Sequence, residues 1–328
     1  MIKKIVALLL CVLMGLMVLG CSEKAPEKIV LNEVTHSVFY APLYAAISQG
    51  YFEEEGLEIE LVNGGGADKS MTALLTGQAD IGLMGPEAAI YVFNEGREDS
   101  AMVVGQLTKR DGSFLMGREP NDDFKWSEVS GKTIIGGRKG GVPQMTLEYV
   151  LRKNGLEPGV DVEVDTSIQF NLMGGAFEGG TGDYVTLFEP TASLFEQEGK
   201  GYIMAAVGQE SGEVPYTAFM ATKSYIKSNP GVIKSFLKAV YRGQQWVKQA
   251  SDKELAQAIV EFFPDTSVDT LMMVAKSYRE IDAWMDTPVM KPEAFDRLQN
   301  IIIQAGVLPN KVDFSSVVDN SFAEEVIK

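Results

Sequence analysis

Histidine and cysteine are nearly absent from this 328-residue chain, which has one histidine, His36, and two cysteines, Cys11 and Cys21. A Ser-His-Asp triad therefore has a single position for its base, and a Cys/His zinc site cannot be assembled. Positive charge is also short, with 29 Lys plus Arg against 45 Asp plus Glu and a formal net charge of −16. A chain of this sign repels a phosphate backbone instead of releasing its counterions, which excludes nucleic acid as a partner. The phosphate-binding Gly-x-x-x-x-Gly-Lys-Ser/Thr loop, Gly-x-Gly-x-x-Gly, the Gly-x-Ser-x-Gly elbow and His-Glu-x-x-His are all missing. The expectation is a protein without catalysis, metal or cofactor. What remains has ordinary globular proportions, 45% hydrophobic and 23% charged, and a length that suggests about two domains at roughly 150 residues each.

The N-terminus has the layout of a bacterial export signal. Lys3 and Lys4 precede an uncharged run over 5–20, shorter than the ~20 residues that span a bilayer comfortably. Val18-Leu19-Gly20-Cys21 resembles a lipoprotein cleavage box, in which the cysteine is diacylated and becomes the new N-terminus. This places the protein on the extracytoplasmic face of the cell membrane, held through lipid on Cys21. Residues 1–20 are the signal, and the polar, proline-containing stretch 21–28 is a tether.

Beyond residue 28 short β-rich runs alternate with helical patterns, which predicts α/β layering with a largely parallel sheet. Strands are expected over 28–34, 57–62, 79–83 and 101–107, with helices over 42–49 and 69–75. A second cycle gives strands over 113–117, 132–135, 162–166, 184–188 and 202–206, with helices over 143–153 and 190–197. In 231–249 the residues Val232, Ile233, Phe236, Leu237, Val240, Tyr241 and Val247 recur at spacings of three and four, the stripe of an amphipathic helix. Further helices are expected over 255–263, 268–278 and 292–305. Two α/β units with a helical C-terminal part imply two lobes. Lobe 1 takes 29–108 plus 217–328 and lobe 2 takes 109–216, with crossovers near 106–110 and 214–216.

In open α/β sheets ligands collect beyond the carboxyl ends of strands, where loops meet helix N-termini. After the first strand, His36, Ser37, Phe39 and Tyr40 could stack on and hydrogen-bond a planar ligand, or plug the lobe core. Gly65 lies in a glycine run that lets backbone approach a ligand, and Asp68 can cap the next helix. Gly85 and Glu87 flank Pro86 at a helix start, where a carboxylate also complements the dipole. Arg110 and Asp111 fall at the outgoing crossover, either to touch ligand or to brace the hinge. Gly140 and Gly141 end a glycine loop at a helix start, a natural anion site with Arg138 in reach. Tyr184 and Glu189 bracket a strand, and Glu189 could accept ligand amines or serve the following helix.

Gly50-Tyr51-Phe52-Glu53-Glu54-Glu55-Gly56-Leu57 and Leu75-Thr76-Gly77-Gln78-Ala79-Asp80-Ile81-Gly82 resemble the ABC-importer solute-binding proteins grouped with SsuA and the thiamine-pyrimidine synthases. Gly131-Lys132-Thr133-Ile134, Phe188-Glu189-Pro190 and Asn229-Pro230 with Phe236, Ala239 and Trp246 are similar too. The resemblance runs over about 28–305. It implies a periplasmic-binding-protein-like clamp of the type II solute-binding fold, a monomer that closes on a small solute and delivers it to an importer permease and its ATPase. Relatives of the sulfonate type often have a hydroxyl residue where Val142 follows Gly141, so an oxyanion would have fewer donors here. His36, Phe39, Tyr40 and Glu189 suit a flat, nitrogen-bearing ring of the thiamine-pyrimidine kind. The alternatives are an alkanesulfonate, taurine, nitrate or bicarbonate as ligand, or a thiamine-pyrimidine synthase. The resemblance implies that those enzymes need a cysteine-rich motif and a pyridoxal-binding lysine in a cytosolic protein, which the export signal and scarce cysteine argue against.

Overall fold

A computed structural model describes residues 25–328. The export signal and Cys21 lie outside the described residues. Among the described residues no helix is long and apolar enough to cross a membrane.

Ten strands form two five-stranded sheets. The first contains β1 (Glu27–Glu33), β2 (Leu57–Asn63), β3 (Ile81–Met84), β4 (Ala101–Thr108) and, from much later in the chain, β10 (Thr217–Thr222). Their order is β2-β1-β3-β10-β4. The second contains β5 (Ser113–Gly117), β6 (Thr133–Ile135), β7 (Glu163–Asp165), β8 (Tyr184–Phe188) and β9 (Tyr202–Ala206), in the order β7-β6-β8-β5-β9. Helices alternate with the strands of both, an α/β architecture.

The expectation of largely parallel sheets needs correction. β1 is parallel to β2 and β3, and β6 to β7 and β8, but β10 runs antiparallel to β3 and β4, and β5 antiparallel to β8 and β9. Each sheet is mixed because the strand that enters from the other lobe, β10 or β5, lies between two strands and antiparallel to both. β10 itself was not anticipated. Its sequence, Thr-Ala-Phe-Met-Ala-Thr, is buried throughout, so it lacks the polar alternation that marks a half-exposed strand. The expected helix over 255–263 ends earlier, at Ile259, and continues as a 3-10 turn, Val260–Phe262.

The helical part binds tightly to the first sheet. Helix Pro230–Gln249 turns the predicted apolar stripe inward, burying Ile233, Phe236, Leu237, Val240 and Val247. Phe236 meets Phe52 and Phe219 at ring separations of 5.3 and 5.0 Å. Where this helix crosses helix Ala41–Ser48 the backbones nearly touch: a Cβ on Gly243 would sit 2.4 Å from the Pro42 carbonyl oxygen. Only glycine permits that approach. One hydrophobic cluster runs from the first sheet into one face of the second through Phe39, Phe114 and Tyr278. A smaller one, around Leu115, Trp126, Leu147 and Val162, fills the other face of the second.

Candidate functional site

The two connections between the sheets run side by side. Val214 N–H donates to the Lys109 carbonyl (2.9 Å), Tyr216 N–H to the Thr108 carbonyl (3.2 Å), and the Thr108 and Thr217 hydroxyls are 2.6 Å apart. Lys109 N–H donates to the Ala283 carbonyl at 2.8 Å, which ties this double crossover to the helical part. In front of it meet the loops that follow β1 and β3 in one sheet and β6 and β8 in the other.

Contacts join the two sets of loops. The Tyr91 hydroxyl donates to the Gly140 carbonyl (3.2 Å), and the Glu189 amide donates to the Tyr278 hydroxyl oxygen (3.2 Å). At the rim Arg138 approaches Asp68 at 3.9 Å, an exposed pair that contributes at most about 1 kcal/mol. Phe39 forms the hub of an aromatic cluster with Tyr40, Phe188, Tyr216 and Tyr278, at ring separations of 5.1 to 5.9 Å. Its carbonyl accepts from the Trp284 indole at 2.9 Å. The 3-10 turn Val38–Tyr40 that presents Phe39 is capped by Ser37, whose hydroxyl accepts from the Phe39 amide at 3.2 Å. Gly112 lies under the Phe39 ring, where a Cβ would come within 2.5 Å of it.

Three buried carboxyl groups line this cluster, and their environments differ. Glu189 is spent on its neighbour: Ser193 donates its hydroxyl to Oε1 (2.7 Å) and its amide to Oε2 (3.0 Å). It serves the start of helix Thr191–Gln197, the second of its two expected roles. Burial still holds its pKa above the ordinary value. Asp111 uses Oδ1 to accept from the Ser113 amide (2.7 Å) and hydroxyl (2.6 Å), which fixes the start of β5, and the Tyr216 hydroxyl is a further neighbour of the carboxyl. Burial pushes its pKa up to about 7, against the pull of Ser113 and Tyr216. Glu87, in the first turn of helix Glu87–Asn94, folds back over Gly85, and its Oε2 has no hydrogen-bond partner. Burial pushes it up to about 7, although its own amide, Arg138 and the Ala88 amide favour the charged form.

The loop expected to bind an anion is occupied from within. Gly140 N–H donates to the Gln144 side chain at 2.8 Å, and Gly141 N–H donates to the Arg138 carbonyl at 3.1 Å. Neither amide is available to an oxyanion in this arrangement.

Several other anticipated residues also stand differently. His36 is satisfied by protein atoms: Nδ1 lies 2.7 Å from Glu33 Oε1, Nε2 lies 2.8 Å from the Phe262 carbonyl, and Phe263 stacks on the ring at 4.7 Å. The Glu33 contact raises its pKa above the ordinary value. Asp68 does not cap its helix, because Gly66 takes that position and Asp68 follows in the first turn. Gly65 donates its amide to Asn63 Oδ1 at 3.0 Å. Arg110 turns to Asp282 at 3.4 Å, the bracing role. Tyr184 packs on Phe124 at 6.1 Å, four residues or about 13 Å along β8 from Phe188, beside the smaller hydrophobic cluster. The residues that sequence reasoning passed over are Glu33, Tyr91, Tyr216 and Tyr278. Of these, Tyr216 was marked only as the end of the return crossover.

Against this geometry, residues 34–262 match the NMT1-like family. The chain belongs to the NMT1-like family. A member-level relative is YtlA of Bacillus subtilis (strain 168), whose name describes it as a binding protein: 44% identity over 304 residues, 93% of this chain and 91% of that one. The nitrate/nitrite-binding protein NrtA of Synechocystis is 22% identical over 241 residues, 65% of this chain and 52% of its own length. Among solved structures, the alkanesulfonate-binding protein SsuA of Xanthomonas axonopodis pv. citri, bound to MOPS, superposes with a TM-score of 0.72 at 15% identity over 91% of this NMT1-like chain and 100% of its own. The Synechocystis nitrate-binding protein NrtA gives 0.70 at 18%, over 92% and 88%. At these identities the two structures establish the shared fold.

Proposed function

We propose that this NMT1-like protein is the extracytoplasmic, lipid-anchored solute-binding component of an ABC importer. It captures a small solute between its two lobes, 29–108 plus 217–328 and 109–216, and hands it unaltered to the permease. The observation that carries this reading is the aromatic cluster around Phe39, in which Phe188 from the second sheet meets Phe39 and Tyr216 from the first lobe and the crossover. Rings contributed by both lobes beside the crossover suit a hinged clamp whose crossover residues absorb the motion of closure. The anchor rests on the cleavage-box resemblance at Cys21, since two acyl chains give stable attachment at roughly 0.8 kcal/mol per buried methylene.

For the solute, the reading favoured here is a flat nitrogen-bearing ring of the thiamine-pyrimidine kind. Buried carboxyl groups at Glu87 and Asp111 offer an anion no positive charge, and Gly140 and Gly141 already spend their amides. Oxyanion binding is the second reading, supported by the names of the relatives NrtA and SsuA and by the presence of Arg138 at the rim.

Small-angle scattering on the lipid-free protein, with solute afterwards recovered by mass spectrometry, tests the function. Compaction with chemically unchanged solute is expected; turnover of the solute would replace the transport reading with an enzymatic one. Cys21→Ala should abolish fatty-acid labelling in cells, and a mutant still labelled and membrane-bound would remove the anchor.

A further inference from the structure

The single histidine of the chain joins two segments that are remote in sequence. His36 follows β1 and directly precedes Ser37, the cap of the turn that presents Phe39, while its ring reaches the 3-10 turn Val260–Phe262 of the helical part. Nε2 lies 2.8 Å from the Phe262 carbonyl oxygen, which can only accept, so this nitrogen carries a hydrogen. Nδ1 lies 2.7 Å from Glu33 Oε1, and the Tyr44 hydroxyl donates to Oε2 of the same carboxyl at 2.6 Å. Two bare acceptors repel at such a distance, so one proton lies between Nδ1 and Oε1. An imidazole is a stronger base than a carboxylate by about a hundredfold, which puts that proton on the ring. His36 is then an imidazolium donating from both nitrogens, and Glu33, 1% exposed, is its carboxylate.

We propose that His36 is a pH-sensitive latch, which while charged holds the turn Val260–Phe262 against the segment that carries Ser37, Phe39 and Tyr40, and which lets that turn go when it loses a proton.

A neutral ring keeps one hydrogen, and the carboxylate, the stronger acceptor, retains it on Nδ1. The Nε2 proton passes to solvent, which reaches the ring because the side chain is 35% exposed. Nε2 then turns a lone pair toward the Phe262 carbonyl, and the contact becomes repulsive. The titratable groups that face the ring are Glu33 from β1 and Tyr44 from helix Ala41–Ser48, with Tyr40 facing Glu33 in turn. The hydrogen bond to Glu33 raises the ring above its ordinary value of 6.5, against the pull of burial, and the Phe262 carbonyl adds to the rise. Phe263 stacks on the imidazole at 4.7 Å and Phe262 on Tyr44 at 4.9 Å, so the turn that is released carries two rings away from this pair. Ser37 donates its amide to the same Tyr44 oxygen at 3.4 Å, which extends the effect to the cap of the turn Val38–Tyr40. The latch operates in the free chain, whichever solute the protein takes.

Nuclear magnetic resonance on the full, untagged, 15N-labelled chain in detergent tests the proposal, because every imidazole signal belongs to His36. A titration midpoint above 6.5 is expected. Amide exchange over 260–263 and 37–40, corrected for its intrinsic rise with pH, should increase about tenfold or more as pH passes that midpoint, the loss of one charged hydrogen bond. Both measurements use the unaltered protein, so neither depends on a variant that folds. Glu33→Gln should bring the midpoint down and move the step in exchange with it. A midpoint at or below 6.5 overturns the latch, as does exchange that shows no step at the midpoint, or a midpoint that Glu33→Gln leaves in place.

Discussion

The two buried carboxyl groups make a prediction that needs no ligand: the free protein is more stable at pH 5 to 6 than at pH 8. Each group has a folded-state pKa near 7 against ordinary values of 4.5 for Glu87 and 3.8 for Asp111. Between those limits the native state holds a proton that the unfolded chain has released, so the unfolded state binds fewer protons and stability falls as pH rises, levelling above about 7. At 1.36 kcal/mol per tenfold, the displacement corresponds to about 3 kcal/mol for Glu87 and about 4 kcal/mol for Asp111. Their mutual interaction and relaxation of the cleft reduce the sum, so a total loss of about 3 kcal/mol from pH 5 to pH 8 is expected. Glu189, raised by burial, acts in the same sense. So does His36, whose raised pKa gives stability that is full below its unfolded value and lost as pH passes its folded one. Glu254, lowered by Ser251, has the opposite sense, but its contribution changes only below its ordinary value of 4.5, outside this range. In a protein of this size the loss amounts to a fall in Tm of about 5 to 10 °C. Thermal unfolding of dialysed protein, followed by circular dichroism in steps from pH 5 to 8, gives the curve directly. Glu87→Gln should raise Tm at pH 8 and flatten the profile, because a neutral amide costs less to bury than a carboxylate. A Tm that is flat or rising over this range, or a Glu87→Gln profile as steep as that of the unaltered protein, would refute the reasoning.

Two further substitutions probe the clamp. Tyr91→Phe removes the hydroxyl that bridges to the Gly140 carbonyl and should disfavour the closed form by about 1 kcal/mol, seen as faster amide exchange in the loop around Gly140; unchanged exchange would mean that the contact does not hold the lobes. Gly243→Ala forces a Cβ to within 2.4 Å of the Pro42 carbonyl and 2.7 Å of the Ala46 Cβ, and should cost about 1 to 3 kcal/mol in chemical denaturation. A neutral result there would show that helices Ala41–Ser48 and Pro230–Gln249 can slide apart.

Much of the local structure is legible in the residues alone. Helix Pro230–Gln249 follows from its three-and-four spacing, and helix Val142–Lys153 from Pro143 at its start. Strands β1, β2, β5 and β8 fall within a residue or so of their β-rich runs. β10 escaped notice because a strand buried on both faces has no alternation to betray it. The site was legible as a set of segments, not as a set of roles. His36, Phe39, Tyr40, Glu87, Asp111 and Glu189 do gather where strand ends meet helix starts, since that follows from topology. Which oxygen of which carboxyl is already bonded depends on partners far away or around a turn: Phe262 for His36, Ser193 for Glu189 and Gln144 for Gly140.

Composition and periodicity alone carry the α/β class and the placing of most strands and helices. These depend on composition and on periodicities shorter than a helix, which need no knowledge of distant residues. Tertiary structure decided the rest. It gave Glu189 and His36 hydrogen-bond partners within the protein, and it buried Glu87 and Asp111, the latter beside Tyr216. Burial and hydrogen-bond pairing belong to contacts between residues that are remote in the chain, and a carboxyl group's charge at neutral pH follows from those contacts rather than from its neighbours in sequence.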